Sequence, residues 1–167
     1  EVFPEGQEVY WEIWNEPDNG PSQWNGSFQE FIRFYNQVST IIKSQFPEIS
    51  LGGPALNGAM REEPRKKLDE FLPSVKAAGS PLDFLSWHAY PLSPGELPAA
   101  ATVVRETLDE YGFTETESHL NEWNMGPPAN DWKRMGQDKP AKRAYFGDMH
   151  SERGSSLAAS CLIALQE

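Results

Sequence analysis

The chain has 167 residues, enough for one domain with a buried core. Its 14 basic and 25 acidic side chains give a formal net charge of −11, which argues against binding a nucleic-acid backbone or an anionic membrane surface. An aromatic content of 12% is typical of a globular protein, and the single cysteine excludes an internal disulfide framework.

Strand-like and helix-like segments alternate along the chain. Residues 9–14 are rich in β-formers, and the apolar residues of 28–46 recur at helical spacing after a capping box of Ser27 and Glu30. The later elements repeat this alternation. They are a strand over 49–56 that contains Gly52-Gly53-Pro54, a helix over 66–78 ending at Gly79, a strand over 82–90, a helix over 97–111, a strand over 118–124, and a mainly helical segment over 141–165 with a break at Gly154.

These four strand–helix units predict an α/β fold with a parallel sheet and right-handed crossovers. Two architectures fit, an open doubly wound sheet and part of a closed (β/α)8 barrel. Neither the dinucleotide-binding fingerprint nor a phosphate-binding loop of the G-x-x-x-x-G-K-[ST] type occurs in the sequence. In both architectures ligands gather at the carboxyl ends of the strands, so the residues at those ends are the candidates for function.

The ends of the chain look interrupted. The sequence opens at Glu1 with neither an initiator methionine nor a signal peptide, and it stops at Glu167 directly after an apolar helical stretch. Its longest apolar run is far shorter than the ~20 residues of a membrane span. We interpret residues 1–167 as a single piece of a longer catalytic domain, incomplete at both ends.

Two glutamates stand at predicted strand ends. Pro17 disfavours the right-handed helical region for Glu16, so we expect Glu16 to be extended and to close the first strand, with Asn15 beside it suited to hydroxyl recognition. Glu122 closes the fourth strand in the same way. A pair of carboxylates facing one cleft is what glycoside hydrolysis requires, although either residue could instead be a solvated surface acid.

The third predicted strand carries His88 and Tyr90. Alternation places both on the face of Phe84 and Ser86, and it places Trp87 on the opposite face, where we expect it to pack against helices. His88 could instead satisfy buried backbone groups, and Tyr90 could simply cap the strand. Tryptophan rings stack on sugars but also fill cores. The candidates for stacking are Trp123 and, less favoured, Trp14, Trp24 and Trp132.

Four motifs together resemble glycoside hydrolase family 39, which holds β-xylosidases and α-L-iduronidases and belongs to clan A of retaining glycosidases. They are Trp-Asn-Glu-Pro ending at Pro17, Leu-Gly-Gly-Pro-Ala over 51–55, Asp-Phe-Leu-Ser-Trp-His-Ala-Tyr over 83–90, and His-Leu-Asn-Glu-Trp-Asn over 119–124. The resemblance covers nearly the whole chain, in order. It implies a (β/α)8 barrel of which this chain spans strand four to the helix after strand seven.

The resemblance also implies roles for single residues. Glu16 would be the acid/base and Glu122 the nucleophile, with Tyr90 near the nucleophile. The implied substrate contacts are Asn15, His88, Tyr90, Trp123 and Asn124. Family β-xylosidases often carry arginine where this chain has Trp87, a departure that bears on which sugar is bound.

The expected reaction is retaining hydrolysis of a glycoside or oligosaccharide, most like that of a β-xylosidase, without metal or cofactor. Glu122 attacks the anomeric carbon, Glu16 protonates the departing oxygen and then activates water, and the carboxyl groups lie about 5–5.5 Å apart. We expect the charge of Glu122 to raise the pKa of Glu16. The isolated piece should be inactive, because the missing barrel strands are its obligatory partners.

Two other functions fit parts of the pattern. A metal-dependent barrel hydrolase could be built on His88, His119 and Glu122. A carbohydrate-binding or purely structural barrel piece would use the same acids and aromatic rings without cleaving a bond. The sequence suggests a soluble protein and indicates neither its compartment nor its oligomeric state.

Overall fold

The computed structural model describes residues 8–57 and 65–166, which form a four-stranded parallel sheet and its connecting helices. The strands are β1 (Tyr10–Glu12), β2 (Ser50–Leu56), β3 (Phe84–Ala89) and β4 (Glu117–Trp123), each paired with its neighbour in chain order. The helices are α1 (Phe28–Gln45), α2 (Lys66–Ala78), α3 (Glu96–Glu110), α4 (Trp132–Gln137), α5 (Lys139–Met149) and α6 (Glu152–Ala164). The prediction of an α/β fold with a parallel sheet is confirmed.

The sheet is strongly curled, so that its first and last strands approach one another across the concave face. The Asn121 side-chain amide of β4 donates to the Glu12 carboxylate of β1 at 3.0 Å. The Tyr10 ring lies 4.9 Å from His119 and 5.4 Å from Phe84, centroid to centroid. Such contacts between edge strands require the curvature of a barrel wall rather than that of an open, gently twisted sheet.

The hydrophobic core lies between the convex face of the sheet and helices α1, α2 and α3. Its largest fully buried side chains include Phe31, Phe71 and Trp87, each of which contributes ~1.5–3 kcal/mol by leaving water. Trp87 packs in this cluster, as predicted, and its indole N–H donates to Ser118 Oγ at 3.0 Å. Trp87 therefore holds one face of β3 against the helices, and the opposite face of the strand lines the concave side of the sheet.

Glycines set the spacing between strands β1, β2 and β3. A Cβ on Gly52 would lie 2.0 Å from the Phe84 carbonyl oxygen, and one on Gly53 would lie 2.9 Å from the Ile13 carbonyl oxygen. Gly53 also has a φ of +122°, a region that L side chains rarely adopt. The Gly-Gly pair therefore permits β2 to pack closely against both of its neighbours.

Helix boundaries follow the predicted signals closely. The capping box of Ser27 and Glu30 opens α1, and Gly79, with a φ of +63°, terminates α2 in the left-handed conformation. The predicted break at Gly154 is wrong, because the chain breaks at His150–Ser151 and Gly154 lies inside α6. Gly154 is buried there because α6 begins in close contact with the Met149 backbone. Within residues 8–57 and 65–166, no helix combines the length and apolarity needed to cross a bilayer.

Candidate active site

Glu16 lies in the loop after β1, four residues beyond the end of the strand. The Ile13 N–H donates to the Gly52 carbonyl and the Glu16 N–H to the Ala55 carbonyl, so the loop still follows β2. The expectation that Glu16 is extended and closes the first strand is wrong, since β1 ends at Glu12 and the φ of Glu16 is +49°. Pro17 disfavours only the right-handed helical region, and the turn that follows selects the left-handed one.

That turn is closed by its own polar groups. The Asn19 N–H donates to the Glu16 carbonyl at 3.0 Å, and the Asp18 carboxylate accepts from the Asn57 N–H at the end of β2. Pro17 is buried between these contacts. The sequence Pro-Asp-Asn-Gly is typical of a tight turn, and here it directs the Glu16 side chain inward, where only 8% of it is exposed.

His88 is the principal partner of Glu16. Its Nδ1 lies 2.8 Å from Glu16 Oε1, and both side chains are buried. Burial by itself would raise the pKa of Glu16, but hydrogen bonds from His88, Asn57 and Asn19 outweigh it and hold the pKa below its usual value. The expectation of a raised pKa for Glu16 is therefore wrong, because these hydrogen bonds dominate the net shift.

The same contact acts on His88 in the opposite sense. Burial would lower the pKa of His88, but the hydrogen bond to Glu16 and the nearby charge of Glu122 raise it. Glu16 and His88 therefore form an ion pair whose partners each stabilise the charged form of the other.

Glu122 enters the same centre from β4. Its side chain is 49% exposed, and Oε1 lies 3.7 Å from His88 Nδ1. The Tyr90 hydroxyl donates to that same oxygen. Burial and this hydrogen bond raise the pKa of Tyr90, so its hydroxyl remains a proton donor. The predicted proximity of Tyr90 to Glu122 matches this arrangement.

Glu16, His88 and Glu122 thus form one compact centre, in which an oxygen or nitrogen of each lies within 4.8 Å of the others. Three such atoms could surround a metal ion. The metal centre suggested by the sequence had a different membership, with His119 in place of Glu16. His119 Nε2 instead donates a hydrogen bond to Glu117 Oε2, 2.7 Å away, and its ring stacks on Phe84.

The loop after β4 adds an aromatic rim to the centre. The Trp132 ring lies edge-on to Tyr90 with centroids 4.8 Å apart, and 43% of Trp132 is exposed. Tyr145 supports this ring from α5 and anchors the loop through its hydroxyl, which donates to the Met125 carbonyl at 2.7 Å. Gly126 permits the close approach, since a Cβ there would lie 2.5 Å from the Tyr90 carbonyl oxygen.

The remaining predicted contacts divide into two groups. Asn15 is exposed beside Glu16, and Asn124 is exposed at the end of β4, where its side-chain oxygen accepts from the Met125 N–H. Trp123 points away from the carboxylates and packs against the hydrophobic core on the helix side. The pairing of β4 with β3 shifts between Leu120 and Glu122, so Asn121 and Glu122 both face the concave side and Trp123 falls on the opposite face.

Asn19 is a residue of the site that sequence reasoning missed. Its side-chain amide donates to Glu16 Oε2 at 2.8 Å. The signal was available in the turn-forming run after Pro17, because a tight turn brings the third residue after Glu16 back toward it.

Comparison with known proteins identifies the fold and its family. The family model described as "Glycosyl hydrolases family 39" matches residues 4–146. A "Beta-xylosidase" from Caldicellulosiruptor saccharolyticus is 29% identical over 143 residues, covering 76% of this chain and 27% of that protein. A second "Beta-xylosidase", from Geobacillus stearothermophilus, is 32% identical over 162 residues, covering 86% of this chain and 31% of that protein.

Two solved structures match the architecture. A glucosidase from Croceicoccus marinus aligns with a TM-score of 0.61 and 35% identity, over 69% of this chain and 24% of that one. A family 39 enzyme from Xanthomonas axonopodis pv. citri aligns with a TM-score of 0.58 and 24% identity, over 69% and 25% of the two chains. The present chain thus spans between a quarter and a third of the length of its relatives, and its curled sheet is part of a (β/α)8 barrel.

Proposed function

Because the chain belongs to glycosyl hydrolase family 39, we propose that it supplies both catalytic carboxylates of a retaining glycosidase that cleaves β-xylosides. The observation that carries the proposal is the approach of Glu16 and Glu122, whose oxygens lie within 4.8 Å in a centre they share with His88. Retaining enzymes hold their carboxyl groups ≈ 5–5.5 Å apart, whereas inverting enzymes need ~6.5–9.5 Å to admit a water molecule.

In the first step the Glu122 carboxylate attacks the anomeric carbon and forms a glycosyl ester, while Glu16 gives its proton to the departing oxygen. Tyr90 supports the attack by holding Glu122 Oε1 in place. In the second step Glu16, now ionised, takes a proton from water. The water oxygen then bonds to the anomeric carbon as the ester bond to Glu122 breaks, which releases the sugar with its original anomeric configuration.

The contact with His88 supplies the proton for this cycle. In the free site Glu16 favours its ionised form, and His88, whose Nδ1 lies 2.8 Å from Glu16 and whose pKa is raised, holds the proton. A bound sugar removes water from the site, which disfavours charge on the buried carboxyl and returns the proton to Glu16. His88 is therefore proposed to hold the proton between turnovers rather than to touch the substrate alone.

A neutral pentose is the proposed substrate. The two curated relatives carry the name β-xylosidase, and the net charge of −11 gives mild support for a neutral sugar over a uronate. The exposed side chains of Asn15 and Trp132 flank the carboxylates, and they offer a hydroxyl partner and a stacking surface respectively. The complete barrel, including strands that this chain does not contain, is the proposed active unit.

The test is the anomer first released by the complete barrel from an aryl β-xyloside, followed by NMR, in parent and Glu122→Gln proteins. The proposal expects retention in the parent and a loss of at least about a thousandfold in kcat/KM for Glu122→Gln. Glu115→Gln, an exposed acid just before β4, is the matched control and should retain activity. Net inversion, or full activity in Glu122→Gln, would overturn the mechanism, and binding without turnover would indicate a carbohydrate-binding module instead.

A further inference from the structure

We propose that Asn19 is a positioning residue for Glu16, which holds the second oxygen of its carboxylate while His88 holds the first. The inference rests on the proposed function, in which Glu16 gives and takes the proton of the reaction. Asn19 lies outside the four motifs that carry the family resemblance, and its contact with Glu16 is read from the structure.

Asn19 and His88 lie on opposite oxygens of one carboxylate, to which the Asn57 side chain also hydrogen-bonds. Asn19 Nδ2 lies 2.8 Å from Glu16 Oε2, and His88 Nδ1 lies 2.8 Å from Oε1. The last torsion of a glutamate side chain is otherwise soft and broadly populated. Two donors from opposite sides fix that torsion, and they fix the direction in which the carboxyl group can present a proton.

The backbone makes the Asn19 contact rigid. The Asn19 N–H donates to the Glu16 carbonyl at 3.0 Å, so main chain and side chain of Asn19 both return to the same residue. Asp18, between them, is tied to the Asn57 N–H at the end of β2. These contacts hold the Asn19 backbone beside Glu16, and the side-chain amide points at the carboxylate.

The charged surroundings make a neutral donor at this point useful. Several titratable groups surround the Glu16–His88 pair. They are Glu12 of β1, Asp18 of the loop, Tyr90 after β3 and Glu122 of β4. Three of these four are acids, whose charge opposes ionisation of Glu16. Asn19 stabilises the ionised form of Glu16 without adding a second positive charge that would bind the Glu122 nucleophile.

The first measurement is independent of catalysis. In the complete barrel with ¹³C-labelled glutamate, the Glu16 signal is assigned by its loss in Glu16→Gln and titrated by NMR. Asn19→Ala should raise the Glu16 midpoint by on the order of one pH unit, and Asn19→Asp, which keeps the size of the side chain, should raise it further. Asn25→Ala, an exposed asparagine in the same loop, should leave it unchanged.

The second measurement asks whether the contact acts in the reaction. The basic limb of the kcat/KM profile, which reports the acid of the free enzyme, should move upward with the NMR midpoint. At the parent's optimum, Asn19→Ala should lose about tenfold or more on xylobiose and little on a dinitrophenyl xyloside, whose leaving group needs no proton. Asn25→Ala should match the parent on both substrates.

A Glu16 midpoint that does not move in either Asn19 variant overturns the proposal, and so does an equal loss on both substrates with an unmoved basic limb. A moved midpoint in a protein that hydrolyses no glycoside supports the Asn19–Glu16 coupling and rejects the hydrolase function, so the two failures are distinct.

Discussion

Gly52→Ala tests whether close packing of β2 against β3 holds the acid/base in place. The added Cβ would lie 2.0 Å from the Phe84 carbonyl oxygen, whereas real Cβ contacts are at least 3.0 Å. The obstacle is backbone, so β2 and β3 must separate by the missing ångström. That motion strains the bond from Asp83 N–H to the Leu51 carbonyl and the bond from Ala55 N–H to Ser86 Oγ.

We expect Gly52→Ala to lower the free energy of unfolding by about 3 kcal/mol, the upper end of the cost of overpacking. The same displacement moves Ala55, whose carbonyl holds the Glu16 N–H at 3.0 Å. A misplacement near 1 Å can cost on the order of a hundredfold in rate. We therefore expect kcat to fall although the loop that carries Glu16 is unchanged in sequence.

The assay is urea unfolding of the complete barrel together with steady-state hydrolysis of an aryl xyloside. Gly136→Ala is the matched control, because a Cβ there meets nothing within 4 Å and the residue lies in helix α4. It should be neutral or stabilise by up to ~1 kcal/mol. If Gly52→Ala were no more destabilising than Gly136→Ala, the account of the Gly-Gly pair as a spacer would be refuted.

Three further outcomes follow from the site. Tyr90→Phe removes the hydroxyl that bonds Glu122 and should lower kcat by about tenfold or more; unchanged steady-state kinetics would contradict this. Trp132→Ala removes an exposed ring beside Tyr90 and should raise KM for xylo-oligosaccharides more than KM for a small aryl xyloside, and an equal change in both would exclude stacking. Because the pKa of Glu16 is lowered in the folded protein, Glu16 contributes stability that is fully present above its ordinary pKa of about 4.5 and is lost as the pH falls through its folded-state pKa. Because the pKa of His88 is raised, His88 contributes stability that is fully present below its ordinary pKa of about 6.5 and is lost as the pH rises through its folded-state pKa. The unfolding midpoint of the parent should therefore exceed that of His88→Ala by the largest margin between pH 4.5 and pH 6.5. Equal differences between the two proteins at every pH would argue against the ion pair.

The fold was predictable because its signals are local. Apolar spacing, the capping box at Ser27 and the glycine at position 79 each act within one element, and these elements were predicted to within a few residues. The helix break was misplaced because Gly154 serves packing rather than termination. Without a side chain at Gly154, α6 can contact the Met149 backbone. Such a packing contact is not visible in the sequence of the helix itself.

The site was predictable in its membership and less so in its geometry. Glu16 and Glu122 could be chosen because strand ends of a parallel sheet share one edge. The left-handed conformation of Glu16 depends on the bond from its N–H to the Ala55 carbonyl, and the direction of its pKa depends on donors brought from β3 and from the turn. The contacts of Glu16 with Ala55 and His88 join residues far apart in sequence, so no local pattern encodes them.

The curled sheet has a consequence for how enzymes of this shape could diverge. Glu16 follows the first strand of the sheet and Glu122 lies in the last, so their separation depends on the curl of all four strands and is hard to adjust by any one contact. Side-chain length is the simpler adjustment. Glutamate to aspartate at either position withdraws a carboxyl group by about one carbon–carbon bond, ~1.5 Å, from a centre within 4.8 Å. The separation then grows to at most about 6.3 Å, just short of the ~6.5 Å that admits a water molecule, so one codon change would be a first step from retention toward inversion of configuration.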